Sequence, residues 1–540
     1  MPDAATRVDE LAARCVRETF AANPHSARFA GAHEYDGVLG DAGESAVRRR
    51  LSELDSLLAA LDGVGRDGAL GDEAAADLAT CRLLARSERF RLGELRDPWT
   101  DPRFPLAAAD VSTYVQRPYA PVAERSEKLC AHLEQLPDHL DAGARMLDDE
   151  IPMGPRQIAL DEARGHASFY RDDVRDELGA LDDPALRARL DAAIETAATA
   201  CERFAARVEE LHGRDDFVLG AERLCAMLEA QEGVRETAPA LRLKADAELV
   251  RLTAWAGEVA GELGGDVPGA FERMESQHPA ADALISTASE MLSRLRQFWI
   301  DSGVVSIDAD ARCVVRPSPA FMSWVTAAQD SPGPLGPPGL PHFYYVTPVQ
   351  PGWTDEQIEQ WLRHLNFASL ENISVHEVYP GHFVHAVCGE RQRSVVRRAF
   401  WFSGFGEGWA HYAEQLAVER GLAEGKPLLE LAVVQDALLR ICRFRATVGM
   451  HAEGMSLEEA TQLFVDHAHL PRLPAEREAL RATYDPMYLV YSYGKLEILR
   501  WREQLSASPG FDLRRFHDRL LGSGYPPLEV VREYVHAPAA

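Results

Sequence analysis

Apolar positions along the first 300 residues return every three to four places, the period of helices that bury one face. In residues 182 to 213, "DDPALRARLDAAIETAATACERFAARVEELHG", the repeat is carried by Leu186, Leu190, Ile194, Cys201, Phe204, Val208 and Leu211. Asp183 stands where a cap is expected and Pro184 at the first turn, so the pattern predicts one long helix with a single apolar stripe. "VDELAARCVRETF" and "RRRLSELDSLLAALDG" follow the same period, the second closing on a glycine. No fixed-length repeat runs through these segments, which argues against a solenoid.

The pattern changes at residues 330 to 343, "DSPGPLGPPGLPHF", the sharpest Pro/Gly interruption in the chain. Behind it "HFYYVTPV" is short, β-branched and aromatic, and bounded by prolines, which predicts an edge strand. "TDEQIEQWLRHLNFASLENIS" then opens with a Thr354-x-x-Gln357 capping box, and Ser456-x-x-Glu459 opens a later helix in the same way. The expectation is a mainly α protein with one small β element just ahead of the most unusual motif.

Length and charge narrow the picture. A chain of 540 residues exceeds the size at which a single core stops growing, about 250 to 300 residues. Two lobes are therefore expected: residues 1–329, helical, and residues 330–540, carrying the chemistry. The net charge of −28 disfavours nucleic acid and anionic membrane surfaces as partners. No segment approaches the roughly 20 apolar residues of a membrane span. The N-terminal stretch mixes acids with an amphipathic pattern, unlike a secretory leader. Eight scattered cysteines without a Cys-x-x-Cys pair read as reduced thiols, and the expected location is cytoplasmic.

The chemistry concentrates in "SVHEVYPGHFVHAV", residues 374 to 387. A hydrolytic metal site needs three protein ligands, an open position and a carboxylate base. His376 and His382 supply two imidazoles and Glu377 the base, but residues six apart are rotated by about 240° on a regular helix. Pro380 removes a helical hydrogen bond and Gly381 tolerates a tight backbone, so a break between the histidines is expected to re-aim His382. Further ligands come from "WFSGFGEGWAHYAEQL", where Glu407, His411 and Glu414 share one helical face. Glycines 404, 406 and 408 leave room there for close approach to an ion or substrate. His385 is an alternative ligand or a residue that orients one. His411 and Glu414 are read as supports, Glu414 as the partner that holds a ligand imidazole.

"HEVYPGH" followed by "EGWAHYAE" resembles the bacterial domain-of-unknown-function family 885 (DUF885), itself similar to helical zincins of the carboxypeptidase Taq and thimet oligopeptidase type. "NPHSARFAGAHEYDGVLGD" and "PMYLVYSYGKLEILRWRE" extend the likeness over nearly the whole chain. The resemblance implies a two-lobed helical zincin-like fold with a deep central cleft, and one divalent metal, zinc, held by His376, His382 and Glu407. It implies Tyr491 as the oxyanion donor, with Tyr488 and Tyr493 as neighbours able to substitute, and Arg502 as a holder of a substrate carboxylate. It also implies that an edge strand pairs with substrate, which places Tyr344 and Tyr345 in the substrate-binding set.

The resulting expectation is a zinc-dependent hydrolase of an amide or peptide bond, with a small peptide or peptide-like substrate and Glu377 and Tyr491 as catalytic groups. Two alternatives stand beside it: hydrolysis of a small amide conjugate in biosynthesis, and a helical binding protein whose metal site is degenerate. An intact Glu377 argues against the last, because a structural site needs no base.

Overall fold

The computed structural model describes residues 3–64, 70–319, 322 and 325–536. It is mainly helical, as the periodicity predicts. The long stripe forms the helix Pro184–Glu210, with the Asp183 side chain accepting from the Ala185 and Leu186 amides. Both predicted capping boxes are present, at Thr354 and Ser456.

Among the described residues, five short strands form two small sheets. β1 (Glu150–Pro152) and β2 (His212–Arg214) make a parallel pair. β3 (Cys313–Pro317), β4 (Ala327–Asp330) and β5 (His342–Val346) make a three-stranded sheet in the order β3-β5-β4. β5 is parallel to β3 and antiparallel to β4. The strand expected at an edge is therefore the centre of the sheet, and β4 is an edge. All five residues of β5 are buried, which suits an unbroken apolar and aromatic run with neighbours on both sides.

The chain divides into two compact units, but not at residue 329. The first comprises residues 1–217, 332–341 and 393–400, the second residues 218–331, 342–392 and 401–540. The helices between 221 and 302 belong with the C-terminal half because their apolar faces close on it. Val259, Ala260, Phe271 and Met274 share a core with Leu431 and Ala432, and Trp255 donates its indole N–H to Glu430 at 2.6 Å. The Pro/Gly segment joins the first unit, where Leu335 donates its amide to the Ala30 carbonyl at 2.8 Å. Gly333 is pressed so closely on Gly31 that a Cβ would come within 2.3 Å of its nitrogen. Among the described residues no helix is long and apolar enough to cross a membrane.

Candidate metal centre

Every residue of the site lies in the second unit. The helix Phe367–Glu377 starts at Asn366, whose side chain accepts from the Ala368 and Ser369 amides, and ends on the Glu377 of the motif. Between residues 378 and 381 the chain turns through a cis Tyr379-Pro380 bond, and a new helix, His382–Gly389, begins on the second histidine. The break that Pro380 demands is thus a complete helix end. Gly381 closes the turn, since a Cβ there would sit 1.6 Å from the His376 carbonyl oxygen. Trp409 ties the turn down by donating to the Pro380 carbonyl at 2.9 Å. The two imidazoles end 4.8 Å apart, edge to face.

Opposite them runs the helix Ser403–Glu419, which has no side-chain cap of its own. Glu232 lies against its first turn, where a Cβ on Gly404 would come within 2.8 Å of the carboxylate. Burial pushes that carboxyl up to about 8, against the opposing pull of the nearby Ser403 and Gly404 amides. The glycines of this helix make room for protein. A Cβ on Gly408 would meet the Gly494 backbone at 2.7 Å, and one on Gly494 would meet the Gly404 oxygen at 1.9 Å. This backbone-to-backbone crossing sets the helix Val490–Ser506 against the stretch that carries Glu407.

The result is a convergence of three side chains. Glu407 Oε2 lies 3.5 Å from His376 Nε2 and 3.4 Å from His382 Nε2. Ligands of a tetrahedral ion with bonds near 2.1 Å are separated by about 3.4 Å, so the donor set and its spacing fit a divalent metal such as zinc. Donor atoms of His376, Glu377 and His382 also lie within 4.8 Å of one another. Glu377 is oriented by the Gln329 amide of β4, which donates to its Oε2 at 2.8 Å.

Behind these side chains is a buried ionic network. His376 Nδ1 donates to Glu414 Oε1 at 2.6 Å, which leaves Nε2 with a lone pair for an ion. Arg440 donates to the other oxygen of Glu414 at 3.2 Å. His411 Nδ1 lies 3.4 Å from that same oxygen, and Asn372 bridges Glu414 and Asp436. Burial disfavours the charged form of His376, but hydrogen bonds to Glu407 and Glu414 outweigh it and push the imidazole up to about 9. Burial likewise opposes ionisation of Glu407, yet His382 and His376 hold it far below the usual carboxylate range. His376 and Glu407 thus hold each other in their charged forms.

A family model described as "Bacterial protein of unknown function (DUF885)" matches residues 24–535. The chain is a DUF885 protein. No curated protein matches it. Among solved structures, the DUF885 chain is similar to "a putative lipoprotein of unknown function" from Shewanella oneidensis, with TM-score 0.80 and 23% identity over 97% of this chain and 99% of that one. It is also similar to "the putative lipoprotein from Colwellia psychrerythraea", with TM-score 0.79 and 18% identity over 99% of both chains. At these identities the likeness shows the fold; the lipoprotein description belongs to those two proteins.

The remaining expected site residues of the DUF885 chain sort by what they touch. Tyr491 is near enough to Glu407 for that carboxylate to add to burial in pushing the phenol up to about 12. Tyr493 instead donates to Glu236 at 2.9 Å and Tyr488 to the Glu478 carbonyl at 3.2 Å, so both neighbours are engaged elsewhere. His411 meets Glu414 and touches neither His376, His382 nor Glu407 in any hydrogen bond among the described residues. His385 touches no ligand carboxylate: its Nε2 lies 2.7 Å from the Gly524 carbonyl, and its ring packs on Phe405 and Tyr525.

The residues expected to contact substrate have partners within the protein. Tyr344 and Tyr345 lie in the buried central strand, where the Tyr344 hydroxyl meets Ser374 on the histidine helix at 3.2 Å. They brace the sheet against that helix. Arg502 is three turns along its helix from Tyr491, a rise of about 16 Å, and is paired with Glu419 at 2.6 Å and with the Tyr412 hydroxyl. It lines a separate hollow of about 600 Å³ together with Arg420, Arg500 and Phe511. Residues that sequence reading passed over are Gln329, Asn372 and the pair Asp436 and Arg440. A signal for the pair existed, since opposite charges one turn apart interrupt the apolar run "LAVVQDALLRIC".

Proposed function

We propose that this DUF885 protein is a metal-dependent hydrolase of amide or peptide bonds, with zinc held by His376, His382 and Glu407. The observation that carries the reading is the 3.4 and 3.5 Å spacing of Glu407 from both imidazoles, with an unliganded-type base, Glu377, beside them. A divalent ion held there supplies Lewis acidity toward a carbonyl and a lowered pKa for water. Glu377 keeps one oxygen on the Gln329 amide, which leaves the other to take a proton from water and return it to the departing amine. Tyr491 makes no hydrogen bond to another described residue and offers its O–H to the oxyanion.

The unpaired edge that an extended substrate would use is that of β4. In antiparallel pairing, alternate residues turn their backbone groups outward. Thr347 donates to Thr326 across the pair, so Ala327 and Gln329 face away from β5, and Gln329 shows this by reaching Glu377. A small peptide or peptide-like substrate laid along β4 fits this geometry. The reading carries with it a helical zincin type of architecture and a central cleft. Eight free cysteines suit a reducing, cytoplasmic setting, and the acidic surface suits neither nucleic acid nor membrane. Metal analysis of purified protein, paired with hydrolysis of dipeptides and acyl amino acids by wild type and Glu377→Gln, tests it. Protein that takes up no divalent metal after zinc loading, or a Glu377→Gln variant as active as wild type, ends the proposal.

A further inference from the structure

Trp401 stands out from the other tryptophans. Trp299, Trp409 and Trp501 are buried completely, whereas Trp401 is 44% exposed, the one tryptophan among the described residues left largely in the open. A single exposed aromatic is ordinarily unremarkable on a protein surface. This one packs its ring 5.6 Å from the ring of His382. It is backed by Tyr525 at 5.1 Å and His385 at 6.0 Å. It also covers Gly406, the residue before Glu407. A Cβ there would come within 2.0 Å of the indole, so the glycine is what seats Trp401 against the ligand helix. Its indole N–H makes no hydrogen bond to another described residue.

A rigid aromatic held from behind by two rings, touching a metal-ligand imidazole and open to solvent, has the makings of a recognition surface. From this we infer that Trp401 is a specificity-determining platform for an aromatic or other flat apolar group adjacent to the scissile amide. The inference rests on the metal reading above. Burying the exposed part of the indole against such a group removes apolar surface from water on both partners, and ring pairing adds to that gain.

The test uses two chelating probes on zinc-loaded full-length protein, phenylacetohydroxamic acid and acetohydroxamic acid, with binding followed by calorimetry. Wild type is expected to bind the phenyl probe about tenfold more tightly, the ratio that ~1.4 kcal/mol corresponds to. Trp401→Phe keeps most of that ratio. Trp401→Ala brings it close to one while zinc content and acetohydroxamate affinity stay unchanged. A tenfold ratio that survives Trp401→Ala overturns the platform alone. Loss of zinc in Trp401→Ala also overturns it, by making Trp401 a support for His382. If zinc-loaded wild type binds neither probe, the metal reading fails and the platform falls with it.

Discussion

The two longest described helices, Pro184–Glu210 with 27 residues and Pro427–Ala452 with 26, solve the problem of charge in opposite ways. In the first, every buried position is apolar and the arginines stay outside. Arg189 meets Glu134 at 2.7 Å with 46% of its side chain in solvent. In the second, Arg440 is 13% exposed and meets Glu414, which is 1% exposed, at 3.2 Å. Arg443 is held in the same interior by Glu478 at 2.8 Å. An exposed pair contributes about 0 to 1 kcal/mol, while a buried one costs several kcal/mol of desolvation per ion unless each charge is met. The lesson is that the second helix accepts an expensive interior because Glu414 must stay ionised to hold His376.

The largest effect separates chemistry from packing. Glu377→Gln keeps the network behind His376 and its metal content but loses roughly 10³-fold or more in turnover; retained activity with retained metal would remove Glu377 from the reaction. Next comes the direct contrast between the helices. Arg440→Met strands a buried carboxylate and should cost about 3–5 kcal/mol in chemical denaturation, against less than about 1 kcal/mol for Arg189→Met. Equal costs would show that Glu414 is not dependent on Arg440. Tyr491→Phe should lower turnover by roughly 10² to 10³ with little change in metal content, and an unchanged rate would return Tyr491 to a packing role.

The smallest effect is on pH. The His376 imidazole is raised from its ordinary value near 6.5 to about 9, so its proton stabilises the metal-free fold. That contribution is complete below about pH 6.5 and is lost as pH rises through about 9. Unfolding of the metal-stripped protein should therefore become easier across that window, while the metal-loaded protein, whose ion replaces the proton, does not show this loss. A flat profile for the stripped protein would mean that His376 is neutral without metal.

Much of this was legible in the chain because it is local. Helix periods, the caps at Asp183, Thr354 and Ser456, and the interruption at Pro380 depend on neighbours a few residues away, and the structure has all of them. The candidate ligands were legible too, because imidazoles and carboxylates are rare enough in apolar helices to stand out. Other features depended on partners far along the chain. β5 became a central strand only because β3 and β4 flank it. Arg502 was drawn to Glu419. The glycines at 404 and 408 turned out to receive the Gly494 backbone. The sequence by itself determined the helices, their ends and the kinds of donor atom available. Tertiary structure alone decided which donors meet, which strand edge stays free and which charges are buried, because those outcomes follow from long-range packing and desolvation, which no local pattern encodes.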